Sequence, residues 1–98
     1  MDFEKPTEKG FTIYSKSGCI NCNKIKTFLI ENKLDYIVIS CDEYLLEDKE
    51  NFLLFIKNLS NKEYTQFPIV FNNSEIVGGF NEAKEYIFKY CLTFENNF

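Results

Sequence analysis

The sequence contains no histidine, no tryptophan and no arginine, so all 11 basic residues are lysines. Because histidine is absent, the chain offers no imidazole to act as a base near neutral pH or to ligate a metal ion. The 15 acidic residues outnumber the lysines and give a formal net charge of −4. Since nucleic-acid binding depends on a basic surface, we expect no nucleic-acid partner.

Long hydrophobic runs are also absent. The longest covers residues 52–56, whereas a membrane-spanning helix needs about 20 apolar residues. Residues 1–9 are mostly charged or polar and contain no apolar stretch typical of a secretory signal. We therefore expect a cytoplasmic protein that is not associated with a membrane.

The residues that are present suffice for one compact domain. Hydrophobic residues make up 45% of the 98 residues and charged residues 27%, a balance that excludes a largely disordered chain. A chain of this length is too short for two ordinary domains. We therefore expect one globular domain with a real hydrophobic core.

The four cysteines form only one close pair, Cys19 and Cys22, while Cys41 and Cys91 are far away in the sequence. A four-cysteine zinc site usually offers two close pairs, so zinc is disfavoured. In a cytoplasmic protein, Cys-x-x-Cys is typical of a redox dithiol when a strand precedes it and a helix follows. The alternatives are two buried structural cysteines or half of a metal site.

The pattern of apolar residues predicts the element order β-α-β-α-β-β-α. Four short runs rich in β-branched and aromatic residues predict strands, at residues 11–14, 36–39, 68–71 and 75–77. The second run is apolar at every position, so we expect that strand to be buried on both faces. Asparagines at 72–73 predict a tight turn that makes the last two strands a hairpin.

Apolar residues at helical spacing predict three helices. The first begins at Ile20 and ends near Asn32, the second includes Leu45 and ends near residues 58–61, and the third is capped by Asn81. Because a helical crossover joins the first two strands, these should be parallel. The predicted fold class is α/β, with a four-stranded mixed sheet flanked by helices.

The dithiol lies where a strand's loop turns into a helix. Cys19 is at the helix start, where unpaired amide groups and the positive end of the dipole favour a thiolate over a thiol. Lys16, three residues upstream, adds a nearby positive charge. We therefore expect Cys19 to be the attacking nucleophile and Cys22, one turn further along, to resolve the mixed disulfide.

Three segments of the sequence together resemble glutaredoxins, members of the thioredoxin-fold superfamily. They are Tyr-Ser-Lys-Ser-Gly-Cys-Ile-Asn-Cys at 14–22, Gln-Phe-Pro at 66–68 and Gly-Gly-Phe-Asn-Glu at 78–82. The resemblance implies a thioredoxin-like three-layer sandwich. It divides the chain into an N-terminal extension at 1–9, a glutaredoxin domain at 10–94 and a tail at 95–98.

The same resemblance implies an enzyme, a glutathione-dependent thiol–disulfide oxidoreductase. Its partners would be glutathione, as reductant, and proteins that carry disulfides or are glutathionylated. Cys19 and Cys22 would be the redox-active centre through which electrons pass from glutathione to these substrates. The protein is expected to act as a monomer.

The resemblance also implies where glutathione binds. Pro68 would follow a cis peptide bond and face the dithiol, and the backbone of Phe67 would pair with the cysteinyl part of glutathione. Lys16 would meet a carboxylate, while Phe80 and Asn81 would hold the γ-glutamyl end at a helix N-terminus. The implied set is Lys16, Gln66, Phe67, Pro68, Gly79, Phe80 and Asn81.

The chain departs from the family pattern at several of these positions. Ile20 and Asn21 separate the cysteines, where dithiol members commonly have Pro-Tyr. Phe67 replaces a smaller valine, which is expected to narrow the groove, and Asn81 replaces an acid, which is expected to weaken recognition of the glutathione amine.

Two alternative functions stay open. In one, the protein is a thioredoxin-like reductant that takes electrons from a reductase instead of glutathione. In the other, it holds an iron–sulfur cluster between two subunits through Cys19 and glutathione, which glutaredoxins lacking the proline after the first cysteine are reported to favour. Apart from that cluster, no metal ligands are predicted.

Four further residues receive structural interpretations. Cys91 lies on the apolar stripe of the last helix and is interpreted as a small core residue. Cys41 follows the second strand and receives no role. Asp42 and Glu43 are interpreted as the solvated, acidic start of the second helix.

Overall fold

The computed structural model describes residues 2–95, with side chains for residues 2–91. Its seven elements follow the predicted order, which is thereby confirmed. They are β1 (Phe11–Ser15), α1 (Ile20–Glu31), β2 (Tyr36–Ser40), α2 (Asp42–Ser60), β3 (Ile69–Asn72), β4 (Glu75–Gly78) and α3 (Phe80–Glu95). Of the predicted tail, Glu95 is the last residue of α3, and residues 96–98 lie outside the described residues, as does Met1. Among the described residues, no helix is both long and apolar enough to cross a membrane.

The four strands form one mixed sheet, as predicted, and the structure orders them β2-β1-β3-β4. β1 and β2 run parallel, with Phe11 opposite Tyr36, while β1 and β3 run antiparallel. β3 and β4 form the predicted hairpin. Its turn places Asn73 and Ser74 at φ 53° and 69°, the left-handed conformation that a two-residue hairpin loop requires.

Successive side chains of the central strands alternate between two hydrophobic clusters, one on each face of the sheet. Tyr14 contributes to the cluster under α2, which includes Phe52 and Ile56. Ile13 contributes to the opposite cluster, which α1 and α3 cover through Ile25 and Ile87. The result is three layers, with α2 on one face and the other two helices on the other.

The prediction that β2 is buried on both faces is wrong. Ile37 and Val38 are 39% and 41% exposed, and only Ile39 belongs to a core cluster. β2 pairs with β1 alone and forms an edge of the sheet. An apolar run by itself does not distinguish an edge strand from a central one.

The third helix begins at Phe80, two residues earlier than a cap at Asn81 predicts, so Asn81 is inside the helix and is not its cap. Gly79 precedes the helix, and its carbonyl accepts the Ala83 N–H at 2.9 Å. The Glu82 carboxylate reaches back and accepts the Gly79 N–H at 2.9 Å. This is one half of a capping box, in which an acid three residues after the cap satisfies the amide of the cap, while glycine has no side chain to make the other half.

The N-terminal segment packs onto the domain as a strap. The Phe3 ring contacts the rings of Tyr44 and Phe52, with centroids 5.0 and 5.4 Å away. The Tyr14 hydroxyl donates to the Glu4 carbonyl at 2.6 Å. Residues 2–9 therefore close the α2 side of the core.

Candidate active site

The dithiol lies at the predicted strand–loop–helix junction. β1 ends at Ser15, Gly18 takes φ +74°, and Cys19 is the N-cap of α1. The Cys19 Sγ accepts the Cys22 N–H at 3.1 Å. A disulfide joins the two residues, whose Cα atoms are 5.3 Å apart. The first turn of α1 therefore directs a backbone N–H at the Cys19 sulfur, as a thiolate would require.

The two cysteines differ in accessibility. Cys22 is 1% exposed and belongs to the core cluster under α2, whereas Cys19 lies at its margin and is half-buried. An outside disulfide therefore reaches Cys19 first, and Cys22 can act only on a partner that Cys19 already holds.

A groove of about 560 Å³ adjoins the dithiol. Asn21, between the two cysteines, lines its near end. One wall is the segment before β3, and the other is the start of α3. The predicted residues that line it are Gln66, Phe67, Pro68, Gly79, Phe80 and Asn81. The Phe67–Pro68 peptide bond is cis, as predicted.

Lys16, the remaining predicted binding residue, lies against Phe67. Its Nζ atom is 5.8 Å from the centroid of the Phe67 ring, within cation–π range. That ring is 9% exposed and stacks in parallel on Phe52, with centroids 6.5 Å apart. Because the Phe67 ring packs into the core, most of its bulk does not narrow the groove. The Lys16 ammonium lies over this ring.

A family model for glutaredoxins matches residues 11–77 of the chain. The chain belongs to the glutaredoxin family. Family and fold together support a thiol–disulfide oxidoreductase in which Cys19 and Cys22 are the disulfide-forming pair.

Solved glutaredoxins share the thioredoxin-like fold. Glutaredoxin 1 of Francisella tularensis, crystallised with cacodylate, is 24% identical with a TM-score of 0.70, over 82% of this chain and 93% of that one. The holo form of glutaredoxin C1 from Populus tremula x tremuloides is 24% identical with a TM-score of 0.67, over 87% and 80%. A buckwheat glutaredoxin–glutathione complex is 19% identical with a TM-score of 0.67, over 85% and 72%. No curated protein sequence gives a significant match.

This glutaredoxin carries two carboxylates in its groove that sequence reasoning missed, Glu63 and Glu82. Glu82 is held by its bond to Gly79, and Glu63 pairs with Lys57 at 3.2 Å. Glu82 also contributes, after burial, to a raised pKa of the nearby Tyr64. The spacing of Gly79 and Glu82 was the available signal, since a capping box places an acid three residues after the cap.

Asp42 was also missed as a residue of the active-site region. Its carboxylate accepts the Ser17 N–H at 2.8 Å and the Ser17 hydroxyl. These two hydrogen bonds, with a further contribution from the Lys16 charge, hold the Asp42 pKa below its usual value. Asp42 is thus an exposed residue at the acidic start of α2, as interpreted from the sequence, and in addition it binds the loop before Cys19.

The other cysteines lie outside the groove. Cys41 is fully buried directly before α2, and burial raises its pKa to about 12. Its thiol donates to the Ile39 carbonyl at 3.5 Å. Cys91 is half-buried and packs against the cluster under α1 and α3, in keeping with its interpretation as a core residue.

Within residues 2–95, no group of three or more cysteine, aspartate or glutamate side chains is arranged to hold a metal ion. An iron–sulfur cluster on this glutaredoxin would therefore need ligands from outside the chain. The cluster-binding alternative stays a prediction.

Proposed function

We propose that this protein is a glutathione-dependent oxidoreductase that reduces protein disulfides and protein–glutathione mixed disulfides. The observation that carries the proposal is the groove beside the dithiol, which six of the predicted binding residues line together with the Glu82 carboxylate. The Lys16 ammonium lies over the ring of Phe67, one of these lining residues, and Glu82 stands at the N-terminus of α3.

Glutathione has complementary chemistry, because it is an extended tripeptide with two carboxylates and one ammonium. Lys16 would bind one carboxylate, and the backbone of Phe67 would pair with the cysteinyl part. The α3 N-terminus would attract the γ-glutamyl carboxylate. Glu82 would bind the ammonium of the same γ-glutamyl group. It would thus replace the acid that the family has at the position of Asn81. The buckwheat glutaredoxin–glutathione complex supports this mode by likeness of fold.

The reaction begins when the Cys19 thiolate attacks a substrate disulfide. A Cys19–substrate disulfide forms, and the other substrate sulfur leaves as a thiolate that takes up a proton. In the dithiol route the Cys22 thiolate then attacks the Cys19 sulfur and releases the second substrate thiol. This leaves the Cys19–Cys22 disulfide that the structure contains.

Glutathione returns the enzyme to its reduced form in two steps. One glutathione thiolate attacks Cys19, forms a Cys19–glutathione disulfide and frees Cys22. A second attacks the bound glutathione sulfur, which releases oxidised glutathione and the Cys19 thiolate. In the monothiol route Cys19 takes glutathione directly from a glutathionylated protein, and Cys22 is dispensable.

A coupled assay with glutathione, glutathione reductase and NADPH tests the proposal. The wild type should reduce both a glutathionylated peptide and a protein disulfide. Cys19→Ser should lose both activities, whereas Cys22→Ser should keep the first and lose the second. Activity that needs a thioredoxin reductase and no glutathione would favour the thioredoxin-like alternative instead.

The expected monomeric state and cytoplasmic location are part of the proposal. Anaerobic purification followed by gel filtration and visible spectroscopy tests the first together with the cluster alternative. A colourless monomer agrees with the oxidoreductase proposal, while a brown dimer would favour cluster binding.

A further inference from the structure

The loop that presents Cys19 is tied to a different helix by a side chain. Asp42, in the first turn of α2, accepts both the backbone N–H and the hydroxyl of Ser17. The loop is therefore anchored at Ser17, two residues before the nucleophilic sulfur, by a residue that lies 25 positions after Ser17 in the sequence.

Little else holds this loop. Lys16, Ser17 and Gly18 are all exposed, so core packing does not fix them. The Cys41 N–H donates to the Ser15 carbonyl at 2.8 Å, which secures the first end of the loop. At the other end, Cys19 is the N-cap of α1. Between these ends, in the part of the chain that the structure describes, Asp42 makes the only side-chain hydrogen bonds to the loop.

The anchored loop carries Lys16, whose ammonium lies over a residue that lines the groove. Lys16 precedes Ser17 directly, and its ammonium lies over the Phe67 ring while also interacting with the Asp42 charge. A long lysine side chain on an exposed, untied loop would sample many positions. Anchoring the neighbouring residue restricts where the ammonium can stand.

We propose that Asp42 is a positioning residue, whose clasp on Ser17 keeps the Lys16 ammonium beside Cys19 and the groove. This deepens the proposed function, because Lys16 is there the partner of a glutathione carboxylate. In this arrangement an acidic residue, Asp42, increases the enzyme's preference for anionic partners, because it holds the Lys16 ammonium in place. A bare negative charge at this place would have the opposite effect.

The alkylation of Cys19 in the reduced protein measures the local positive charge without glutathione. The anion iodoacetate and the neutral iodoacetamide react with the same sulfur, so their rate ratio reports the field of Lys16. Cys19 modification is followed by peptide mass spectrometry at low ionic strength. Lys16→Met gives the benchmark, an expected fall in the ratio of about twofold to threefold from the loss of one nearby charge.

Asp42→Ala and Ser17→Ala should both lower the ratio towards the Lys16→Met value. Ser17→Ala changes no charge and removes only the hydroxyl bond, because the backbone N–H of residue 17 can still donate to Asp42, so its fall should be smaller than that of Asp42→Ala. Glu43→Gln is the matched control, because it removes a negative charge from the same exposed helix turn, next to Asp42. It should leave the ratio unchanged or slightly raised.

Two outcomes would overturn the proposal. One is a ratio that rises in Asp42→Ala, which would mean that Asp42 acts only as a charge. The other is a ratio that Ser17→Ala does not change. In the Lys16→Met background, Asp42→Ala should produce no further fall. Since neither reagent needs the glutathione groove, a failure of glutathione dependence in the coupled assay would leave this result interpretable.

Discussion

The Cys19 sulfur receives the backbone N–H of Cys22 at 3.1 Å, so the second cysteine contributes to the site before its own sulfur reacts. The same relationship leaves Cys22 buried behind Cys19. These positions agree with the proposed roles, in which Cys19 attacks and Cys22 resolves.

Selective alkylation should reveal this order in the reduced protein. At pH 6–7 iodoacetamide should label Cys19 about tenfold faster than Cys22 or Cys41, because Cys19 is accessible and its thiolate is stabilised. Peptide mass spectrometry measures the three rates. In guanidinium the differences should largely disappear, and equal rates in the native protein would contradict the proposed roles.

Glu82→Gln should raise the KM for glutathione by about threefold, because the γ-glutamyl ammonium would lose a charge-assisted partner. Glu82→Ala should in addition lower the free energy of unfolding by about 1 kcal/mol, since the Gly79 amide loses its cap. Glu85→Gln is the control, as that exposed carboxylate pairs with Lys89 along the same helix. A KM that falls in Glu82→Gln would mean that Glu82 competes with a substrate carboxylate.

Alkaline pH should destabilise the oxidised protein partly through Cys41. Burial raises the pKa of this thiol from 9.0 to about 12, so above pH 9 the unfolded chain loses a proton that the folded chain keeps. The contribution of the protonated Cys41 thiol to the free energy of unfolding is therefore fully present below about pH 9 and is lost as the pH rises towards 12.

Urea unfolding at pH 7.5 and pH 10.5 checks this dependence. Cys41→Ala should be less stable than the wild type at pH 7.5, and the difference should narrow at pH 10.5. Burial also raises the pKa of Tyr14, so part of the loss of stability at alkaline pH should remain in both the wild type and Cys41→Ala. A gap that stays constant with pH would show that Cys41 ionises without penalty, and one that widens would show that the fold favours its thiolate.

Phe3→Ala should lower the free energy of unfolding by about 1–3 kcal/mol, because the ring packs among three aromatic side chains of α2. Phe88→Ala, at a ring that is 67% exposed, is the control and should change it by less than about 0.5 kcal/mol. Urea denaturation measures both. If Phe3→Ala changed the free energy of unfolding as little as Phe88→Ala, the N-terminal strap would add no stability.

Several features of the site could be predicted because they are encoded locally. The start of α1 at Ile20 follows from a change in apolar period, and the placement of Cys19 follows from that start. The sequence favours Asn81 as the cap of α3, because asparagine is a common cap, but the cap is Gly79. In the sequence, the bond between Gly79 and Glu82 is indicated only by the three-residue spacing of these two residues.

The sequence by itself determined the order of the elements, the position of the dithiol and the family, because each depends on residues close together in the chain. The tertiary structure decided that β2 is an edge strand, that Phe67 stacks on Phe52, and that Asp42 clasps Ser17. These features join residues far apart in sequence. The contact between Asp42 and Ser17 arises because the parallel strands β1 and β2 bring their carboxyl ends together, whereas the other two features depend on the strand order and on how α2 packs on the sheet, and local patterns contain none of this geometry.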